Sequence, residues 1–197
     1  MSYSDNYFVW AKLDDDDESM NNEEVKTKLT EYPEVTVKWG KSKSKIHAIN
    51  RDLDDLPPCD ILIIQSDDIK WTKFSFDEEI RQAFEKHFPD FSGTVHFPEK
   101  NAGRRTVIVS MIGAALYKSL GYMYNEQYIS VFADNDFTEM TRLMGKYAYI
   151  DTTLFMHCHP IFNLTNWDTQ YRATEHADVY KKDREVFNKR KEQNFGI

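Results

Sequence analysis

The chain predicts an α/β fold, a largely parallel, mixed sheet flanked by helices. Three observations carry this. Short runs of β-branched and aromatic residues alternate with helical periods along the whole length. The run at 59–65, CDILIIQ, is continuously apolar at its centre, which suits a strand covered on both faces in the middle of a parallel sheet. Gly121 and Gly145 each follow a helical period directly, where a left-handed residue closes a helix.

The elements follow in order. Residues 7–13 (YFVWAKL) read as a strand running into an acidic loop, Asp14 to Asp17 and Glu18. A short helix at 22–29 starts at Asn22 as N-cap and is broken by Tyr32-Pro33. Residues 35–39 alternate as a second strand, and 40–44 form a polar turn. A helix at 45–53 follows, with Ile46, Ile49 and Leu53 on one side. Pro57-Pro58 ends that unit, and the strand at 59–65 runs into Ser66-Asp67-Asp68. An amphipathic helix at 76–88 aligns Ile80, Phe84 and Phe88. Strands are expected at 93–97, 105–111 and 147–150, and helices at 112–120, 137–144 and 177–193. No repeat, coiled coil or low-complexity linker interrupts the chain.

The length, 197 residues, fits one domain and buries enough surface to stand without disulfides. Cys59 and Cys158 make no disulfide framework, so a reducing cytoplasm is the plain reading. No apolar run approaches the ~20 residues that span a bilayer, and the opening MSYSDNYFVW has no signal-peptide pattern. Lysine and arginine number 25 against 33 acids, a net charge of -8, which argues against a nucleic-acid binder. The basic run at 38–45 is the exception.

Five places could carry chemistry. Asp14 to Asp17, following a strand, are either a contact for a base or ribose or a solvated loop. Asp67 and Asp68 end an apolar strand, and ligands of open α/β sheets bind at that edge. Adjacent carboxylates favour a shared hard cation, Mg²⁺ or Mn²⁺, which also takes substrate phosphates; a turn with capping aspartates is the plainer alternative. His157 and His159 flank Cys158, and in an extended segment two such histidines share a face. No second Cys/His pair lies nearby for a closed zinc site, so one histidine completing the aspartate site fits better. Two half-buried histidines beside Pro160 are the alternative. Asp134 and Asp136 open a helix, as caps or as a general base. The lysines of 40–50 (GKSKSKIHAIN) lead into a helix, as a diphosphate site or as a solvated loop; the P-loop pattern is absent.

Taken in order, these pieces resemble the GT-A glycosyltransferases, particularly the inverting, family-2-like kind. The resemblance runs through the acidic loop after a strand, Lys45 to Asn50, Ser66-Asp67-Asp68, the segment 113–122 and Asp134-Asn135-Asp136. It continues through His157-Cys158-His159-Pro160 to the tail 183–196, and covers most of 7–196. It implies a single GT-A-like domain over 1–197. A nucleotide- and metal-binding half lies at 7–68, an acceptor and catalytic half at 69–176, and a helix and tail at 177–197. Asp14, Asp15, Asp16, Asp17, Lys45 and Asp67 would meet the nucleotide. Asp68 with His157 or His159 would hold Mn²⁺ or Mg²⁺. Asp134, or else Asp136, would be the base. The family opens with a strand–helix unit before a strand like 7–13, so the resemblance implies an N-terminally shortened member with an open sheet edge.

The expected activity is transfer of a sugar, with inversion, from a nucleotide-sugar donor, a UDP-sugar in the first instance, to an acceptor hydroxyl. The alternatives are a catalytically silent GT-A-like binding or assembly protein, and a zinc hydrolase on His157 and His159. The open edge would pair with a second copy or a partner chain.

Overall fold

The computed structural model describes residues 6–100, 107–167, 172 and 176–197. The chain runs β1 (Val9–Asp14), α1 (Glu23–Leu29), β2 (Val35–Gly40), α2 (Lys45–Asn50), β3 (Ile61–Ile64), β4 (Ile69–Trp71) and α3 (Phe76–His87). It continues β5 (Thr94–His96), β6 (Ser110–Gly113), α4 (Ala114–Leu120), α5 (Ala133–Leu143), β7 (Tyr147–Tyr149), β8 (Phe155–His157) and α6 (Ala177–Glu192). No described helix is long and apolar enough to cross a membrane.

Three sheets form. β1 and β2 pair in parallel, β3-β6-β5-β7 make a four-stranded sheet, and β4 pairs with β8. The α/β class holds, but the sheets are mixed rather than largely parallel. β3–β6, β5–β6 and β4–β8 are antiparallel, and β1–β2 and β5–β7 are parallel.

Successive residues of the four-stranded sheet feed two cores, because side chains alternate across a strand. Leu62 and Ile112 pack with Ile46 of α2, Leu116 of α4, and Phe137 and Met140 of α5. Val95 and Met111 face the other way, onto Ile80 and Phe84 of α3 and Phe155 of β8.

The strand expected at 59–65 is present as β3, but it is not central. Among the described residues it pairs only with β6 and forms the outer strand of its sheet. Leu62 and Ile61 reach opposite cores, which is why the run is apolar throughout. Covering both faces does not require pairing both edges, and Ile63 is 37% exposed. β1 likewise has no partner beyond β2 among the described residues, and Tyr7 and Phe8 before it are exposed. An open edge beside 7–13 was expected.

Other boundaries shift for local reasons. α2 stops at Asn50, because Arg51 is extended and Asp52 has φ 57°. Ile112 and Gly113, expected in a helix, belong to β6, which runs straight into α4. Gly113 is required there: a Cβ would stand 2.1 Å from the Phe91 carbonyl oxygen. The strand expected at 105–111 lies partly outside the described residues, and the described part pairs only from Ser110. α5 begins at Ala133, four residues early, so Asp134 and Asp136 sit within its first turn. Gly121 and Gly145 do adopt left-handed φ, 75° and 68°.

The inner face of β5 carries a prediction. His96 is 1% exposed, and among the described residues neither ring nitrogen has a hydrogen-bond partner. Burial, helped by Arg142, lowers its pKa to about 4 from 6.5. The unfolded chain therefore takes up this proton as pH falls through about 6.5, and the folded chain only near 4. Stability is full above the unfolded value and is lost as pH falls towards the folded one. His96→Phe is expected to remove about 2–3 kcal/mol from the stability lost between pH 7 and pH 4.5, measured by urea unfolding. Equal losses in both proteins would show that His96 is not the acid-sensitive group.

Candidate functional site

β3 delivers the chain to Ser66, Asp67 and Asp68, and the small β4–β8 sheet folds back over that point. Its register sets Ile69 opposite His157. The Cys158 N–H donates to the Asp68 carbonyl at 2.7 Å. The result is direct contact between groups 89 residues apart: His157 Nε2 lies 2.7 Å from Asp68 Oδ2. Ser66 Oγ donates to the other Asp68 oxygen. The His157 N–H donates to Glu99 Oε1 at 2.9 Å, and Glu99 is itself buried. Asp67 points outward and is exposed.

His159 is buried and packs its ring 5.0 Å from that of His157. Its Nδ1 accepts the Ile161 N–H at 3.2 Å, capping a 3₁₀ turn at Pro160–Phe162. That bond commits one of its ring nitrogens, and the histidine bonded to Asp68 is His157.

Asp134 lies in the first turn of α5. Enclosure by protein raises the pKa of its carboxyl. The Asn135 N–H, donating at 2.8 Å, and the charges of Lys45 and His157 partly offset that rise. Lys45 opens α2 and His157 ends β8, so the charges that act on Asp134 come from two other elements. Asp134 acts in turn on Tyr124, whose hydroxyl hydrogen-bonds Ser110 Oγ at 2.8 Å.

Asp136 is separate from this cluster. It is 2% exposed, and Arg190 of α6 holds both its oxygens, Nε at 2.6 Å and a terminal nitrogen at 3.2 Å. The Tyr128 hydroxyl donates to it at 2.8 Å. Of the two candidate bases, Asp136 is committed to holding α6 and Asp134 is not.

The acidic loop also divides. Asp14 Oδ1 accepts Ser42 Oγ at 2.5 Å and lies 4.0 Å from Arg51, at the carboxyl ends of β1 and β2. Asp17 Oδ1 accepts both Ser19 N–H, at 3.0 Å, and Ser19 Oγ, at 2.5 Å, so it shapes a turn. Asp15 and Asp16 are exposed. This end connects to the Asp68 cluster through α2, roughly 9 Å long. Arg51, after its last turn, donates to the Leu13 carbonyl at 2.9 Å, while Lys45 opens its first turn.

Several positioning residues are not readable as such in the sequence. Asn50 accepts the N–H groups of Met123 and Tyr124, at 3.0 and 3.1 Å, and donates to the Tyr124 carbonyl at 2.6 Å. It pins the segment that carries Tyr124. Asp183 of α6, fully buried, accepts the N–H groups of Ile129, Ser130 and Val131 at 2.8–2.9 Å, fixing the approach to α5. The one signal for α6 is spacing, since Asp183, Val186, Phe187 and Arg190 form a helical stripe.

Among the described residues, no three His, Cys, Asp or Glu side chains cluster as a metal cage. Asp68 and His157 are instead hydrogen-bonded directly to one another. Mg²⁺-like ions are commonly held by one or two protein groups plus substrate phosphates. The surface hollows along α1 and α6 are lined by charged side chains such as Glu23 and Lys182, and neither includes Asp68. No protein-family model, curated protein or solved structure matches the chain.

Proposed function

We propose that the protein is a metal-dependent glycosyltransferase that moves a sugar from a nucleotide-diphosphate donor to an acceptor hydroxyl. The observation that carries this is the hydrogen bond between Asp68 and His157, with the charges of His157 and Lys45 acting on Asp134 from two other segments. A divalent ion on Asp68 and His157 would supply charge neutralisation for the leaving diphosphate. Lys45 adds a second positive charge on that side. Asp134 accepts the proton of the acceptor hydroxyl. The acceptor oxygen then bonds to the anomeric carbon as the carbon–diphosphate bond breaks, with inversion.

The raised pKa of Asp134 suits a base, since a carboxylate costly to keep charged binds a proton more readily. Of the two carboxylates in that turn, Asp136 is held by Arg190, and Asp134 is the one on which the His157 charge acts. The direct Asp68–His157 hydrogen bond supports a second reading, a GT-A-like binding module in which the pair only ties β8 to β3.

Calorimetric titration with UDP, with and without Mn²⁺, separates the readings. Mn²⁺ is expected to tighten UDP binding, and Asp68→Asn to weaken the Mn²⁺-dependent binding by roughly tenfold or more, about 1.4 kcal/mol. UDP affinity that is absent, or indifferent to Mn²⁺ and to Asp68→Asn, would overturn the metal-dependent reading. Release of free sugar from UDP-sugars with Mn²⁺ then distinguishes the enzyme from the silent module.

A further inference from the structure

We propose that the protein forms a two-fold dimer in which β1 pairs antiparallel with β1 of a second copy, joining the two β1–β2 units into one four-stranded sheet. This goes beyond the glycosyltransferase reading and does not depend on it.

β1 has one satisfied edge and one open edge. The Val9 N–H donates to the Glu34 carbonyl at 2.8 Å and the Asp15 N–H to the Gly40 carbonyl at 3.0 Å, at the two ends of the parallel ladder with β2. Backbone groups alternate between the two edges of a strand, so the odd-numbered residues face β2 and Trp10, Lys12 and Asp14 face outward. Among the described residues, the N–H groups of Trp10, Lys12 and Asp14 and the carbonyls of Trp10 and Lys12 have no partner. Such a row is a template for another strand. The usual guards are missing from it. β1 (VWAKLD) holds no proline, and the ammonium of Lys12 is drawn aside to the Ile49 carbonyl at 2.6 Å. Phe8 and Val9 at its start are 36% and 42% exposed.

The side chains decide which strand fits. Outward-facing residues must oppose one another in an antiparallel pair, which limits the register to steps of two. One register sets Ala11 opposite Ala11 of the second copy. Val9 then faces Leu13, Trp10 faces Lys12 and Phe8 faces Asp14, each pairing made twice by the symmetry. Val9 gains an apolar neighbour, and the aliphatic stem of Lys12 lies beside the Trp10 indole. Ala11, the smallest side chain of the strand, falls on the two-fold axis at a non-hydrogen-bonded position, where Cα atoms approach to about 4.5 Å. The neighbouring registers are worse. One sets Lys12 opposite Lys12, like charges in direct opposition. The other sets the two Trp10 indoles against each other and leaves Asp14 beyond the end of the facing strand. A strand of unrelated sequence would meet the backbone groups without these matches, so the occupant is a second copy.

The test is sedimentation equilibrium of the full chain across micromolar concentrations, with amide exchange and cysteine cross-linking alongside. The unaltered chain is expected to dimerise, with slow exchange of the Trp10, Lys12 and Asp14 amides in the dimer. Ala11→Lys brings two like charges together at the axis and should raise the dimer dissociation constant by roughly tenfold or more. Ala11→Cys should form a covalent dimer under mild oxidation, because the Cα separation at the axis suits a disulfide. Val9→Cys should not, and neither should the unaltered chain with Cys59 and Cys158. Ala11→Cys keeps the test available if Ala11→Lys does not fold. A monomer at every concentration, its edge amides exchanging fast, overturns the proposal and leaves the edge to a different chain. So does a dimer that Ala11→Lys leaves intact, or a cross-link through Val9→Cys in place of Ala11→Cys.

Discussion

Asp134→Asn is expected to lower sugar transfer by ~10²–10⁴-fold while leaving Mn²⁺-dependent UDP affinity nearly intact. The amide keeps the shape of the carboxylate and loses only the ability to accept a proton. Asp134 is not among the groups that would hold the metal, so the nucleotide should not sense the change. Its raised pKa adds a second readout. The base works only when ionised, so the acid limb of the rate profile should lie above the ordinary aspartate value. Lys45 opposes the rise, so Lys45→Met should move that limb to still higher pH. Single-turnover transfer measured across pH, with UDP titrations alongside, checks both. Undiminished transfer by Asp134→Asn would remove the base from this mechanism.

The candidate site was legible to the extent that its residues announce chemistry by type. Asp68 and His157 stood out as an acid ending a strand and a histidine in an extended segment, and the fold brings them into contact. What pairs them is the β4–β8 ladder, two three-residue strands too short for any periodic signal. Asp134 and Asp136 could not be ranked from sequence, because the partner that distinguishes them, Arg190, lies 54 residues away. The strand at 59–65 misled for a related reason. Apolar residues report that both faces of a strand are covered, but hydrogen bonding at its edges is a backbone property that no side chain announces. Asp183 and Arg190 were hidden by composition: a helix rich in Lys and Glu reads as solvated, although two of its charges are buried.

Arg190→Met is expected to destabilise the fold by about 3–5 kcal/mol, the usual cost of removing one partner from a buried ion pair. The substitution leaves Asp136 at 2% exposure with the Tyr128 hydroxyl alone beside it, against three charge-assisted contacts to Arg190 and Tyr128 before. It also frees the Phe195 carbonyl, which accepts from Arg190 at 2.8 Å. Removing both charges should be much milder, so Arg190→Met combined with Asp136→Leu should recover a large part of the loss, because no uncompensated charge then stays buried. Urea unfolding of the two single variants and the double variant measures the coupling directly. A single-variant loss under about 1 kcal/mol would mean the pair is solvated and carries little. The same pair has a consequence at the site. Asp136 lies in the first turn of α5, two residues beyond Asp134, and Asp183 fixes the backbone just before that turn. α6 thus holds α5 from both sides of the proposed base. The double variant should therefore transfer sugar more slowly than its recovered stability alone accounts for, because the carboxylate at Asp134 is no longer held in register with Lys45 and His157.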